Sequence, residues 1–205
     1  MNKFSYLALG DSYTIGEGVA ADKNFPNQLV SILAEDYDHA FEKPEIIAVT
    51  GWTTDELKAG IAAADPQGTY DLVTLLIGVN NQYRGREVNE YKAEFEALLD
   101  QAVAFAGGNY KHVIVVSIPD WGHTPYAQEK GFDEQQVAAE IALYNEAKQA
   151  VTLAKGVRFL DITGMTRALA MDVSYLVADQ LHYSEKLYSE WAACLAPLVD
   201  KIFKH

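Results

Sequence analysis

Leu7-Ala8-Leu9-Gly10-Asp11-Ser12-Tyr13-Thr14-Ile15-Gly16-Glu17-Gly18 is the stretch on which the reading of this chain turns. The apolar run from Phe4 to Leu9 breaks off into Gly-Asp-Ser, as a buried strand does when it ends in a tight turn that presents a hydroxyl. Ser12 is thereby a candidate nucleophile, provided a base elsewhere takes its proton. A serine in this setting also serves as a helix N-cap or turn residue. The glycines at 10, 16 and 18 do not make a phosphate cradle. Their spacing fits neither the P-loop nor Gly-x-Gly-x-x-Gly, the P-loop lysine is missing, and Glu17 would repel a phosphate.

Four further apolar runs follow the first: Glu45 to Val49, Leu72 to Ile77, His112 to Ile118 and Val157 to Ile162. Each is short, rich in Val, Ile and Leu, and without clean alternation, which predicts strands covered on both faces. Helix-period segments lie between them. They run over Pro26 to Tyr37, Asp55 to Ala64 (with Thr53 or Thr54 as N-cap and Pro66 as a stop), Glu90 to Ala106, Asp133 to Ala154 and Ser184 to Phe203. Pro197 sits awkwardly in the last. Strand alternating with helix predicts a doubly wound α/β architecture, a three-layer α/β/α sandwich on a five-stranded parallel sheet. No repeat, low-complexity tract or linker divides residues 1–205, so one domain is expected. Ser12, Gly51 and Asn80 each fall just past a predicted strand, on the rim where doubly wound sheets bind ligands.

Composition narrows the function classes. An apolar share of 49% and a charged share of 22% are those of a globular protein. Sixteen basic against 29 acidic side chains leave a net charge of −13, which opposes binding to a nucleic-acid backbone or to anionic lipid. Cys194 is the single cysteine, so neither an intrachain disulfide nor a cysteine-based metal site is expected; its apolar helical context predicts inert packing. No run is long enough to span a bilayer, and Met1-Asn2-Lys3-Phe4 enters a strand pattern without the features of a signal peptide; a cytoplasmic protein is expected. The residues specify no oligomeric state.

A base for Ser12 has five histidine candidates. His39 lies in a polar loop, His205 is terminal, and His112 begins a strand. His123 follows the fourth strand with Asp120 three residues before it, and is the main rival. His182 is preferred because Asp179-Gln180-Leu181-His182 offers a carboxylate and an imidazole on one face of a turn, directly before a helix. Asp179 would hold one ring nitrogen while the other faces Ser12. The same two residues would also serve as caps of the last helix. Gly51 suits a backbone N–H that must approach a substrate closely, and Asn80 offers a side-chain amide donor; each would equally serve as an ordinary turn residue.

Taken in order, Ser12, Gly51, Asn80 and His182 make this sequence resemble the SGNH hydrolases, also called the GDSL esterase/lipase family. Gly10-Asp11-Ser12-Tyr13 is similar to its first block, Gly51 to its second, Gly78-Val79-Asn80-Asn81 to its third and Asp179-Gln180-Leu181-His182 to its fifth. The resemblance spans nearly the whole chain. It implies a flavodoxin-like α/β/α hydrolase that needs no metal or other cofactor and acts through an acyl-enzyme on a small-molecule ester, the family's motifs leaving simple esters, acetylated sugars, thioesters and lysophospholipids all open. Ser12, His182 and Asp179 would form the triad, and Ser12, Gly51 and Asn80 the oxyanion hole. Two departures stand out. Asn81 replaces the family's aspartate, which bears on local hydrogen bonding, and Tyr183 stands where proline is common. Trp52, Tyr83, Trp121 and Tyr183 are expected in the substrate pocket, with Arg84 and Tyr126 in flanking loops, and the lack of a long apolar lid favours short acyl chains. A non-catalytic flavodoxin-like or receiver-like binding domain is the competing reading.

Overall fold

The computed structural model describes residues 3–204. Its strands are β1 (Tyr6–Gly10), β2 (Glu45–Ala48), β3 (Leu72–Leu76), β4 (Val113–Val116) and β5 (Arg158–Leu160). They form one parallel sheet in the order β2-β1-β3-β4-β5. Leu9 of β1 registers with Ile47 on one side and Leu75 on the other. Every residue of β1, β3 and β4 is buried, which is why these strands read as continuous apolar runs.

The helices are α1 (Ser12–Ile15), α2 (Phe25–Asp36), α3 (Thr54–Ala64), α4 (Val79–Tyr83), α5 (Val88–Phe105), α6 (Pro125–Glu129), α7 (Glu134–Ala154), α8 (Thr163–Leu169) and α9 (Glu185–Phe203). α2 packs on α9, whereas α5 packs on both α3 and α7. These two groups are the outer layers of the expected sandwich. The strand order is that of a flavodoxin-like sheet, and its direction of winding reverses between β1 and β3, where such sheets place their ligands.

Local sequence explains where the long helices begin and end. The Glu56 carboxylate accepts the Thr53 backbone N–H at 2.9 Å, and Asp65, in the left-handed region (φ +45), closes α3 just before Pro66. Asp133 caps α7 by accepting from the N–H groups of Gln135 and Gln136. α9 continues through Pro197. It buries Leu187, Tyr188, Trp191, Leu195 and Val199, and burial of that stripe outweighs the roughly 3 kcal/mol a helix-interior proline costs.

Some expectations shift. Phe4 bridges Phe41 instead of starting β1. His112 lies in a short 3-10 turn before β4, its Nδ1 2.7 Å from the Asp71 carbonyl. Cys194 is half-buried, not core, and burial raises its thiol pKa. His205 lies outside the described residues. No described helix is long and apolar enough to cross a membrane.

Gly78 joins β3 to α4 with φ +129, and a Cβ there would come within 2.7 Å of the Tyr91 ring and 2.8 Å of Ile118 Cδ1. Gly78→Ala should therefore destabilise the fold by roughly 1–3 kcal/mol through overpacking, with ~1–3 kcal/mol more from backbone strain. The midpoint of urea unfolding should fall accordingly.

Candidate active site

The turn after β1 is built around Asp11. Its Oδ1 accepts the Tyr13 N–H at 3.1 Å and caps α1, which ends after one turn at Gly16 in the left-handed region. Ser12 is thereby the first residue of this short helix, at 4% exposure. Its residual surface lines a cavity of about 200 Å³ at the carboxyl ends of the strands.

Gly51 follows β2 with φ +90, and a Cβ there would meet only Arg84 Nη2, at 3.8 Å. Backbone conformation, more than crowding, favours glycine at this position. Its carbonyl accepts from Arg84 Nη2 at 2.7 Å, while Arg84 Nη1 lies 3.2 Å from Glu56 Oε2. Arg84 is thus engaged at the surface.

Asn80 lies in α4, a helix and not the turn it resembled in sequence. Its Nδ2 donates to the Trp52 carbonyl at 2.9 Å, which leaves the second N–H of the amide for another acceptor. Asn81 is fully buried and ties α4 to α3: its Oδ1 accepts the Thr54 N–H at 3.1 Å and its Nδ2 donates to Thr54 Oγ1 at 2.7 Å. Thr54 Oγ1 gives its own proton to the Glu94 carboxylate, so here it accepts, and the amide of Asn81 supplies the donor that an ionised aspartate lacks.

The tail contributes a narrow loop. Leu176 and Tyr183 form an antiparallel bridge, Val177 donates to the His182 carbonyl at 2.9 Å, and Gln180 turns the tip at φ +59. Asp179 Oδ1 accepts the N–H groups of Leu181 (2.8 Å) and His182 (2.9 Å), and Oδ2 lies 2.6 Å from His182 Nδ1. Burial alone would raise the Asp179 pKa, but the imidazole and the two amides together hold it below the usual carboxylate range. Facing this carboxylate, Nδ1 is the nitrogen that holds the proton in the neutral imidazole, which makes Nε2 the acceptor in that form. The cap of α9 is Ser184, so Asp179 and His182 are not its N-cap.

Ser12, Gly51, Asn80 and His182 line the one cavity, with Tyr13, Thr50, Val79 and Leu181. Tyr83, Trp121 and Tyr126 complete its wall. Two of the aromatics expected there face elsewhere. The Trp52 ring lies over Gly60 of α3. Tyr183 is fully buried and stacks behind Tyr13, ring centroids 5.3 Å apart, so it supports the wall without forming it. His123 does not line the cavity: its Nδ1 lies 3.5 Å from Asp120 Oδ2 and its Nε2 2.9 Å from Glu134 Oε1, while Asp120 also accepts from Arg167 and the Gly122 N–H.

Two buried groups near the site were not singled out from sequence. Asp11 is fully buried and its Oδ2 has no partner among the described residues. Burial pushes its pKa up to about 7, opposed by the Tyr13 N–H and the charge of Lys148. Lys148, fully buried on α7, donates to the Val116 carbonyl at 2.6 Å. Burial lowers its pKa to about 7, opposed by Asp11. The available signal was periodic: Lys148 occupies the apolar stripe Val137, Ile141, Tyr144, Val151, where a lysine is unexpected.

The two shifts have opposite consequences. Folded Asp11 keeps a proton that the unfolded chain has lost between 3.8 and about 7, so its contribution to stability falls as pH rises there. Folded Lys148 has lost a proton that the unfolded chain keeps between about 7 and 10.5, so stability rises with pH over that window. Lys148→Met should abolish this alkaline rise, seen as a pH-dependent gap between the unfolding free energies of wild type and variant.

Comparison with known proteins agrees with this architecture. The model of the GDSL-like lipase/acylhydrolase family matches residues 8–189. Among solved structures, TesA superposes with a TM-score of 0.75 at 15% identity, covering 97% of this chain and 99% of the other. Axe2, an acetylxylan esterase from Geobacillus stearothermophilus, gives 0.72 at 16% identity, covering 96% and 94%. The lipase/acylhydrolase from Enterococcus faecalis gives 0.68 at 19% identity, covering 97% and 96%. No curated protein matches the sequence.

Proposed function

The chain belongs to the GDSL-like lipase/acylhydrolase family, and from that premise we propose that it hydrolyses small carboxylic esters with Ser12 as nucleophile, His182 as general base and Asp179 as the residue that orients the imidazole. Ester hydrolysis follows from the family. The assignment of roles rests on one observation above all: His182, whose Nδ1 lies 2.6 Å from Asp179 Oδ2, lines the same cavity as Ser12.

Each step has a group to carry it. Ser12 Oγ attacks the ester carbonyl while His182 Nε2 takes its proton, and Asp179 steadies the imidazolium that forms. The carbonyl oxygen becomes an oxyanion facing the backbone N–H groups of Ser12 and Gly51 and the second N–H of Asn80. His182 then protonates the departing alkoxide, leaving an acyl-enzyme. Water attacks that ester with His182 again as base, and the acid leaves as Ser12 recovers its proton.

A cavity of about 200 Å³ is below the ~300–1,000 Å³ of pockets for drug-sized ligands, which supports short acyl groups. Tyr83 and Tyr126 at its wall offer rings for a sugar to stack on, so acetylated sugars belong beside simple esters in the assay. The binding-domain alternative is disfavoured, because a receptor has no use for serine, imidazole and carboxylate in this order.

With 4-nitrophenyl acetate, Ser12→Ala should lose turnover by several orders of magnitude and resist labelling by a fluorophosphonate. Asn80→Ala should lower kcat about 10²–10³-fold with the fold intact. Undiminished hydrolysis by purified Ser12→Ala would reject the assignment. Turnover confined to acetyl and propionyl esters in a chain-length series would support the small cavity; a preference for long chains would count against it.

A further inference from the structure

Behind the cavity wall a polar relay runs from the buried Trp121 outward to Glu140, which is half-buried. Trp121 is 2% exposed, and its indole Nε1 donates to Gln82 Oε1 at 2.9 Å. Gln82, also buried, sits in α4 two residues after Asn80, and its Nε2 donates to Glu140 Oε2 at 2.7 Å. Glu140, on α7, receives Gln136 Nε2 on its other oxygen at 2.9 Å.

The chemistry of the end groups permits one arrangement only. An indole N–H is solely a donor and a carboxylate solely an acceptor. Flipping the Gln82 amide would set N–H against N–H at one end and oxygen against oxygen at the other. Glu140 thus fixes which way the buried amide points, and the amide fixes the plane of the Trp121 ring. The ring also packs against the rings of Phe132, 4.9 Å away and nearly perpendicular, and Tyr83, 5.4 Å away.

The rest follows from where an ester must lie. Its carbonyl oxygen faces Gly51 and Asn80, and its leaving oxygen faces His182. The acyl chain is left with the apolar wall of Val79, Tyr83 and Trp121. We infer that Glu140, which does not line the cavity, is a positioning residue that sets acyl-chain length by locking Trp121 through Gln82. This rests on the ester-hydrolase reading above. In Glu140→Leu the Gln82 amide keeps only the indole N–H as a partner; with its far end released the side chain can swing out of the buried position and take the indole's acceptor with it, and the cavity lengthens at that wall.

The test is a chain-length series of 4-nitrophenyl esters with wild type, Glu140→Leu and Glu140→Gln. Glu140→Leu should raise the hexanoate-to-acetate ratio of kcat/KM about tenfold, the low end of what one methylene's fit is worth in an apolar pocket. The change should fall mainly on KM, with kcat for acetate preserved. Glu140→Gln keeps an oxygen for the Gln82 N–H and should retain the wild-type ratio. In a Trp121→Phe background, where the indole donor is gone, Glu140→Leu should have no further effect on the ratio. A second readout needs no turnover: the indole N–H resonance of Trp121 should move upfield in Glu140→Leu and stay in Glu140→Gln. An unchanged ratio and resonance in a folded Glu140→Leu, or equal shifts in both variants, would overturn the relay while leaving the esterase standing. A wild type that shows the resonance pattern but hydrolyses none of the esters would overturn the functional reading, and the role in chain length with it.

Discussion

α9 packed lengthwise on α2 is the contact that makes a site out of distant segments. α2 follows the turn that bears Ser12, and α9 follows the loop that bears His182. Their apolar faces bury each other against one side of the sheet, Leu29 and Leu33 from one and Leu187, Trp191 and Leu195 from the other. A hydrogen bond from Gln28 Nε2 to the Glu185 carbonyl at 2.9 Å pins the start of α9 beside α2. Tyr13 then meets the tail directly, stacked on Tyr183 at 5.3 Å and 5.8 Å from the His182 ring. The imidazole is placed by packing behind it, and Asp179 supplies only its orientation.

Two aspartates within this small region are held in opposite electrostatic states. Asp179, partly open to solvent, accepts two amides and a ring N–H and stays ionised. Asp11 is sealed beneath the turn with one oxygen unpartnered, and burial favours its neutral form. The distinction matches what surrounds each. In the proposed mechanism a full negative charge at residue 11 would oppose an oxyanion at the neighbouring Ser12, whereas the charge on Asp179 would favour an imidazolium. The charges of Lys148 and Asp11 each oppose the shift that burial imposes on the other.

Much of the architecture was legible because burial on both faces writes itself as uninterrupted Val, Ile and Leu, and long amphipathic helices repeat their apolar residues over several turns. α1, α4, α6 and α8 escaped that reading: none exceeds seven residues, too few for a period to emerge. Position along the chain also says little about where a side chain points. Trp52 adjoins Gly51, yet its ring turns onto α3; Tyr183 adjoins His182, yet it points inward to Trp191. Tyr83 and Trp121 line the cavity, and the hydrogen-bond chain behind Trp121 runs through α4 and α7, far apart in sequence.

What the amino-acid order determined by itself was the parallel sheet, its carboxyl-end rim and the residue types that gather there, since strand propensity, turn chemistry and carboxylate–imidazole spacing are local properties. Tertiary structure alone decided which histidine shares a cavity with Ser12, which aromatics enclose that cavity, and in which direction Asp11 and Lys148 are shifted. Those depend on side-chain direction and desolvation, and both are set by neighbours that the chain brings together only when helices close over the sheet.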